Sequence, residues 1–394
     1  MTITKKNNKY SLNRNDFFPF LEGLDLFINL SLITYLCAFF LPSIELRKSI
    51  IILTIIVLFS IITKITLFRV FEIIHSKLRN PNLLIYLIFA YILVIILPKD
   101  LFIPLGIIAF STSRIIIGSI FSAVNITYID NVLTYQKMTT KYWIILFVGI
   151  LFGSLLVMIT NEIFSNSQLN LWAWKVPYFC YTTILIFLFF VTKGIALDNS
   201  KFISITNENI KKPIGIFNIL ENLHYLIPTL TIILFSTSIW LPKFSNPENM
   251  QFLQYDFLYL ILSLIALIFI SPLSKLIGYK GSIRFFYISS IITSSICIFV
   301  EHTSSYSINF AKLFLSLLSS YSICLIILRY NEIKILNLSQ KNLLLNFMNL
   351  ISILIIPIIF YTFINITINY NILYSIITII MITSYLAYFY GNKR

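Results

Sequence analysis

An all-α polytopic membrane protein, with twelve transmembrane helices in two six-helix halves, is the fold class this sequence predicts. Three observations predict it. Of 394 residues, 58% are apolar and only 11% charged, with mean hydropathy +0.90; a soluble domain carries about 25% charged and about 45–50% apolar residues. Apolar runs of about 20 residues, each able to cross about 30 Å of hydrocarbon as a helix, recur from end to end. These runs lack the alternation of a barrel strand, which leaves helices as the spanning structure. Soluble, disordered and collagen-like chains are thereby excluded.

The spans follow in order between polar breaks. A polar, basic tail (1–19) precedes them; Met1 to Asp16 has no apolar core, so no cleavable signal peptide is expected. Span one, 20–42, closes on Phe39-Phe40-Leu41-Pro42, and Arg47-Lys48 divides it from span two, 49–74. Lys77 and Arg79 lead to span three, 82–98, and Lys99 to span four, 101–128. Lys137 and Lys141 precede span five, 142–161; span six, 171–193, opens on two tryptophans. The polar interruption Gly194 to Pro213 then divides the chain six plus six. The second half reads 215–241, 252–273, 283–300, 307–328, 343–365 and 370–390. The expected organisation is a 20–193 bundle, a 194–214 loop, a 215–390 bundle and a 391–394 tail.

Charge placement orients the helices. With the N-terminus inside, 20 of the 29 Lys and Arg residues fall in cytoplasmic segments, six fall outside and three within spans. This positive-inside pattern predicts a multi-pass protein of the inner (cytoplasmic) membrane with both termini cytoplasmic. Topology thus accounts for the net charge of +14, and no nucleic-acid partner is needed. Cys37, Cys180, Cys297 and Cys324 lie in apolar segments without CxxC spacing and read as small core residues. His75, His224 and His302 form no metal constellation, so neither metal nor cofactor is expected.

The three cations inside spans are Lys64, Arg69 and Arg114. A charge at such depth is expensive and faces a partner or a water-filled path. Span one supplies Glu22 and Asp25, three residues apart and so on one helical face. Asp25 lies a turn deeper; Glu22, near the cytoplasmic mouth, reads equally as a capping or snorkelling residue. Arg69 and Glu72 are spaced as a local structural pair. Arg114 has no acid within four residues, which calls for a cross-helix partner or an anionic ligand. Lys64 reads similarly, with a longer stem that can snorkel. Around Arg114, the residues Ser111, Gly118, Ser122 and Asn125 recur at helical period and form a polar stripe.

Several stretches resemble the metabolite:H+ symporter family of the major facilitator superfamily, which includes proline/betaine, α-ketoglutarate, citrate and shikimate transporters. Leu21-Glu22-Gly23-Leu24-Asp25-Leu26, with the Phe39-Phe40-Leu41-Pro42 end, resembles its E-W-Y-D-F…F-F-P first helix. Trp172-Ala173-Trp174-Lys175-Val176-Pro177-Tyr178 is similar to its W-G-W-R-I-P-F, and Leu241-Pro242-Lys243-Phe244 to its L-P-T-Y. Asp198-Asn199-Ser200-Lys201-Phe202 is a worn E-S-P-x-F, Arg114-Ile115-Ile116-Ile117-Gly118 keeps the frame of R-L-L-Q-G, and Lys64-Ile65 falls at an intramembrane R-P. There are departures as well. Ser122-Ala123-Val124 stands where the family has Gly-Gly-Glu, so a helix-four carboxylate is missing. The loops His75-Ser76-Lys77-Leu78-Arg79-Asn80 and Leu273-Ser274-Lys275-Leu276-Ile277-Gly278-Tyr279-Lys280 lack the acid of G-D-R-x-G-R-R. Ten glycines are also few for helices that slide closely past one another.

The resemblance implies the major facilitator fold and proton-coupled symport of a small organic solute, a proline/betaine-like osmolyte or small carboxylate, by alternating access. Asp25, with Glu22 beside it, would couple the proton. Arg114, Lys64, Ser111 and Asn125 would face the solute. Arg69, Glu72, Trp174, Pro177 and Gly278 would serve structure or gating, with Trp172 and Trp174 anchoring the membrane interface. The expected partners are the solute, protons and the bilayer; the expected state is a monomer, and not an enzyme. The missing acid and eroded loops leave open a transport-incompetent or sensor-like paralogue. A membrane enzyme or nucleotide translocator fits the residues less well.

Overall fold

A computed structural model describes residues 17–66, 83–98, 103–133, 138–192 and 252–300, with single positions between 375 and 386. Their helices are α1 (Phe17–Ser31), α2 (Ile33–Phe40), α3 (Leu46–Thr66), α4 (Leu83–Ile96), α5 (Ile103–Leu133), α6 (Met138–Ile163), the short α7 (Asn166–Leu171), α8 (Val176–Thr192) and α9 (Phe252–Val300). A 3-10 turn, Ala173–Lys175, joins α7 to α8. Ile and Phe are mediocre helix formers in water. In hydrocarbon the backbone has no other way to satisfy its N–H and C=O groups, so the solvent selects the helix.

Span one is a broken helix: α1 and α2 bend by 60°, with neither Pro nor Gly at the break. One turn earlier, the Asn29 side-chain amide donates to the Asp25 backbone carbonyl at 2.6 Å. That bond lies within α1, ahead of the break at Leu32, whose own N–H still reaches the Ile28 carbonyl at 3.1 Å. Spans two to six are carried by α3, α4, α5, α6 and α8. α9 holds two predicted spans, parted at Gly278, whose φ of 75° and ψ of 170° are non-helical. Nothing lies within 4 Å of where its Cβ would stand, so backbone conformation, and not space, favours glycine there.

α1 packs along α6, α3 along α5, α4 against both α5 and α8, and α6 against α9. The scarce glycines sit at the tightest of these crossings. A Cβ on Gly23 of α1 would strike the Leu146 carbonyl of α6, one on Gly149 would strike the Phe20 carbonyl of α1, and one on Gly118 of α5 would strike Ser60 of α3. Leu21, Leu24, Leu36, Leu53, Leu87 and Phe110 fill the interior, while Phe89, Ile108, Phe187 and Phe190 face outward. An outward face this apolar belongs in lipid; the chain is a multi-pass membrane protein. Arg69, Glu72, the 194–214 loop, spans seven, ten and eleven, residues 1–16 and the 391–394 tail lie outside the described residues, and 17–19 of the expected tail form the start of α1.

Candidate functional site

Four helices converge on one buried carboxylate. Asp25 of α1 is 5% exposed and Arg114 of α5 is 1% exposed. Arg114 Nη2 donates to Asp25 Oδ1 at 2.8 Å and to Oδ2 at 2.7 Å. The Tyr91 hydroxyl of α4 donates to Oδ1, and Asn29 Nδ2 donates to the same oxygen at 2.9 Å. Tyr178 of α8 donates to Asn29 Oδ1 at 2.8 Å. Tyr181, also of α8, donates to the Leu21 carbonyl at 3.1 Å, and its ring centroid lies 4.3 Å from that of Tyr91. The sequence demanded a cross-helix partner or a ligand for Arg114; the structure supplies Asp25, 89 residues away in the chain.

A second pair lies one turn toward the α1 N-terminus, where Lys64 of α3 donates to Glu22 Oε1. Both side chains keep 18% exposure, so this pair is wetter than the first. The two acids and two bases neutralise one another pairwise, which removes the large cost of lone charges at this depth. Both sets of residues arrive by helical geometry. Glu22 and Asp25 project from one face of α1 and meet cations from α3 and α5 respectively.

The other predicted residues fall as follows. On the α5 stripe, Gly118 and Ser122 are buried with Arg114 and Ser111 is half-buried; the side chain of Asn125 lies outside the described residues. Among the described residues the hydroxyls of Ser113 and Ser122 and the Nε of Arg114 have no hydrogen-bond partner. Trp174, expected to anchor the membrane interface, is instead fully buried within the protein. Its ring meets Phe39 edge-on at 4.9 Å and packs on Phe40 and Tyr178. An indole that fills the angle between α2 and α8 locks helices together, whereas Trp172 stays half-exposed. Pro177 is buried in the first turn of α8, where its missing N–H costs nothing. Lys175 donates to the Leu97 carbonyl past the end of α4 at 2.5 Å and lies over the Phe39 and Trp174 rings. Among the described residues no three His, Cys, Asp or Glu side chains cluster as a metal site requires.

Asn29, Tyr91, Tyr178 and Tyr181 were not anticipated. Asn29 carried a signal: an amide in mid-span, four residues after Asp25, shares its face. The tyrosines carried none, because apolar spans hold many aromatics and only the fold turns these hydroxyls inward.

No protein-family model matches the sequence, and no curated protein matches it. Solved structures do match. A D-xylose–proton symporter aligns at a TM-score of 0.73 and 12% identity, over 95% of each chain. The E. coli xylose transporter, in a partially occluded inward-open conformation, aligns at 0.66 and 12% identity, over 95% of this chain and 96% of that one. A bacterial homologue of the iron transporter ferroportin, in the outward-facing state, aligns at 0.62 and 13% identity, over 97% and 99%. Likeness at such low identity and nearly full coverage establishes the architecture: the chain has the major facilitator fold.

Proposed function

We propose that this protein is a secondary transporter that couples uptake of a small organic solute to protons by alternating access, within an inner membrane and with both termini cytoplasmic. The observation that carries the reading is the Asp25–Arg114 pair, a titratable acid and a permanent cation buried together between α1 and α5. A structural core gains little from such a pair, since apolar residues of similar volume are often as stable or more so. A transporter gains a switch, because a proton on Asp25 abolishes the attraction that ties α1 to α5. The fold, shared with a D-xylose–proton symporter, supports two halves rocking about a midplane site. Arg114 and Lys64 are the cationic donors on the solute side, and Trp174, Pro177 and Gly278 act through structure.

The test is uptake in proteoliposomes under an imposed pH gradient. Asp25→Asn should abolish gradient-driven accumulation while counterflow exchange persists. Accumulation at the wild-type level would refute the assignment of Asp25. The missing helix-four acid favours a second reading, a sensor-like paralogue, which binding without any flux in the same vesicles would identify.

A further inference from the structure

We infer that the second arm of α9 holds an anionic phospholipid of the inner leaflet, with Lys280 and Arg284 on its phosphate and the isoleucines beyond them along its acyl chains. The choice of leaflet rests on the topology of the reading above; the recognition does not depend on transport.

Past the break at Gly278, α9 has two unlike faces. Ser282, Ile283, Phe286, Tyr287, Ser290 and Ser294 are buried within the protein. The other side carries a row at four-residue spacing, Lys280, Arg284, Ile288, Ile292 and Ile296, each of them exposed. Residues four apart are neighbours on a helix surface. The row is therefore one continuous strip, cationic at one end and apolar beyond, and Phe285, also exposed, widens it beside Arg284. From the sequence the two cations belong only to a cytoplasmic segment. The structure sets them on the strip whose apolar residues face lipid.

Depth fits a lipid molecule. From Arg284 to Ile296 the helix rises about 18 Å, a little more than the about 15 Å of hydrocarbon in one leaflet. The isoleucines thus run the depth of an acyl chain while Arg284 and Lys280 stand at the level of the phosphates. On the far side of the break, where Gly278 has φ 75°, Leu276 is 85% exposed and Ile277 is exposed beside it. Apolar side chains this bare at the end of a span belong in the boundary between head groups and acyl chains.

Charge names the head group. No Asp or Glu stands between Asp256 and Glu301 in the chain. Among the described residues neither Lys280 nor Arg284 enters an ion pair, and Glu22, Asp25 and Glu45 are each paired with another cation. An arginine edge meets two phosphate oxygens at once, and a lysine adds a point charge. A zwitterionic head group brings its own ammonium to the same phosphate and offsets that attraction, whereas an anionic one does not. Each basic side chain near an anionic surface is worth about fivefold in binding, so the two together favour the anionic lipid by about 25-fold.

The test is native mass spectrometry of the full chain in detergent, titrated with dioleoylphosphatidylglycerol or dioleoylphosphatidylcholine. The first phosphatidylglycerol should be held about 25-fold more tightly than phosphatidylcholine. Lys280→Gln and Arg284→Gln should each weaken it about fivefold, and the double variant should bring the two lipids within about twofold. Both positions are exposed, so the fold survives the change, and an unchanged thermal midpoint without lipid checks this. Lys137→Gln/Lys141→Gln removes the same charge from another cytoplasmic segment and should leave the preference intact. Equal retention of the two lipids by the unaltered protein, or a preference lost as fully in Lys137→Gln/Lys141→Gln, would overturn the inference. So would displacement of the lipid by inorganic phosphate at equal concentration, which makes the site one for a bare anion. A dimer that the double variant dissociates would overturn it too, with a second copy as the occupant. The topology fails separately. Labelling of Lys280→Cys from outside whole cells by an impermeant maleimide, above the background of the native cysteines, would overturn the leaflet and leave the detergent result unchanged.

Discussion

The Asp25–Arg114 pair makes a stability prediction that depends on burial. At 2.7 Å between Nη2 and Oδ2, an effective dielectric of about 20 gives an attraction of about 6 kcal/mol. Desolvation offsets much of it in the intact pair. Removing one partner leaves the other charge buried with the penalty but without the attraction, at about 3–5 kcal/mol. Asp25→Asn should therefore lower the midpoint of thermal unfolding in detergent by about 6–10 °C, at about 2 °C per kcal/mol for a long chain. Arg114→Gln should cost as much at neutral pH and less in acid. The lone carboxyl can then take a proton, whereas Arg114 in Asp25→Asn stays charged throughout. The double variant, with a neutral amide at each position, should recover most of the loss, so the cycle is strongly non-additive. Fluorescence-monitored melting of the four proteins at pH 5 and pH 8 is the assay. Single variants that shift by less than about 2 °C, or additive losses in the double variant, would refute the claim that the two charges share a dry site.

Two further predictions concern packing. Gly149→Val would drive a side chain into the Phe20 carbonyl where α1 lies on α6, at about 1–3 kcal/mol or more; the share of monodisperse protein on size exclusion should fall, and an unchanged profile would mean the helices are not in backbone contact. Lys175→Met keeps the stem but loses both the bond to the Leu97 carbonyl and the contact with the Phe39 and Trp174 rings. It should cost about 1–2 kcal/mol in thermal stability, and the same melting assay showing no loss would dismiss the clamp.

Much of the fold was legible because hydrocarbon is an undemanding reader: an apolar run of sufficient length becomes a helix almost regardless of its residues. The break in span one was not legible, since neither Pro nor Gly marks it. In the site, periodicity put Glu22 and Asp25 on one face and placed Arg114 on an inward stripe, so the charges announced themselves by cost. What pairs with what depends on how α1, α3 and α5 are turned about their axes, and no single helix records that. Trp174 shows the same limit. A tryptophan near a span end fits an interface or a core equally by composition, and Phe39, Phe40 and Tyr178 around it decide for the core.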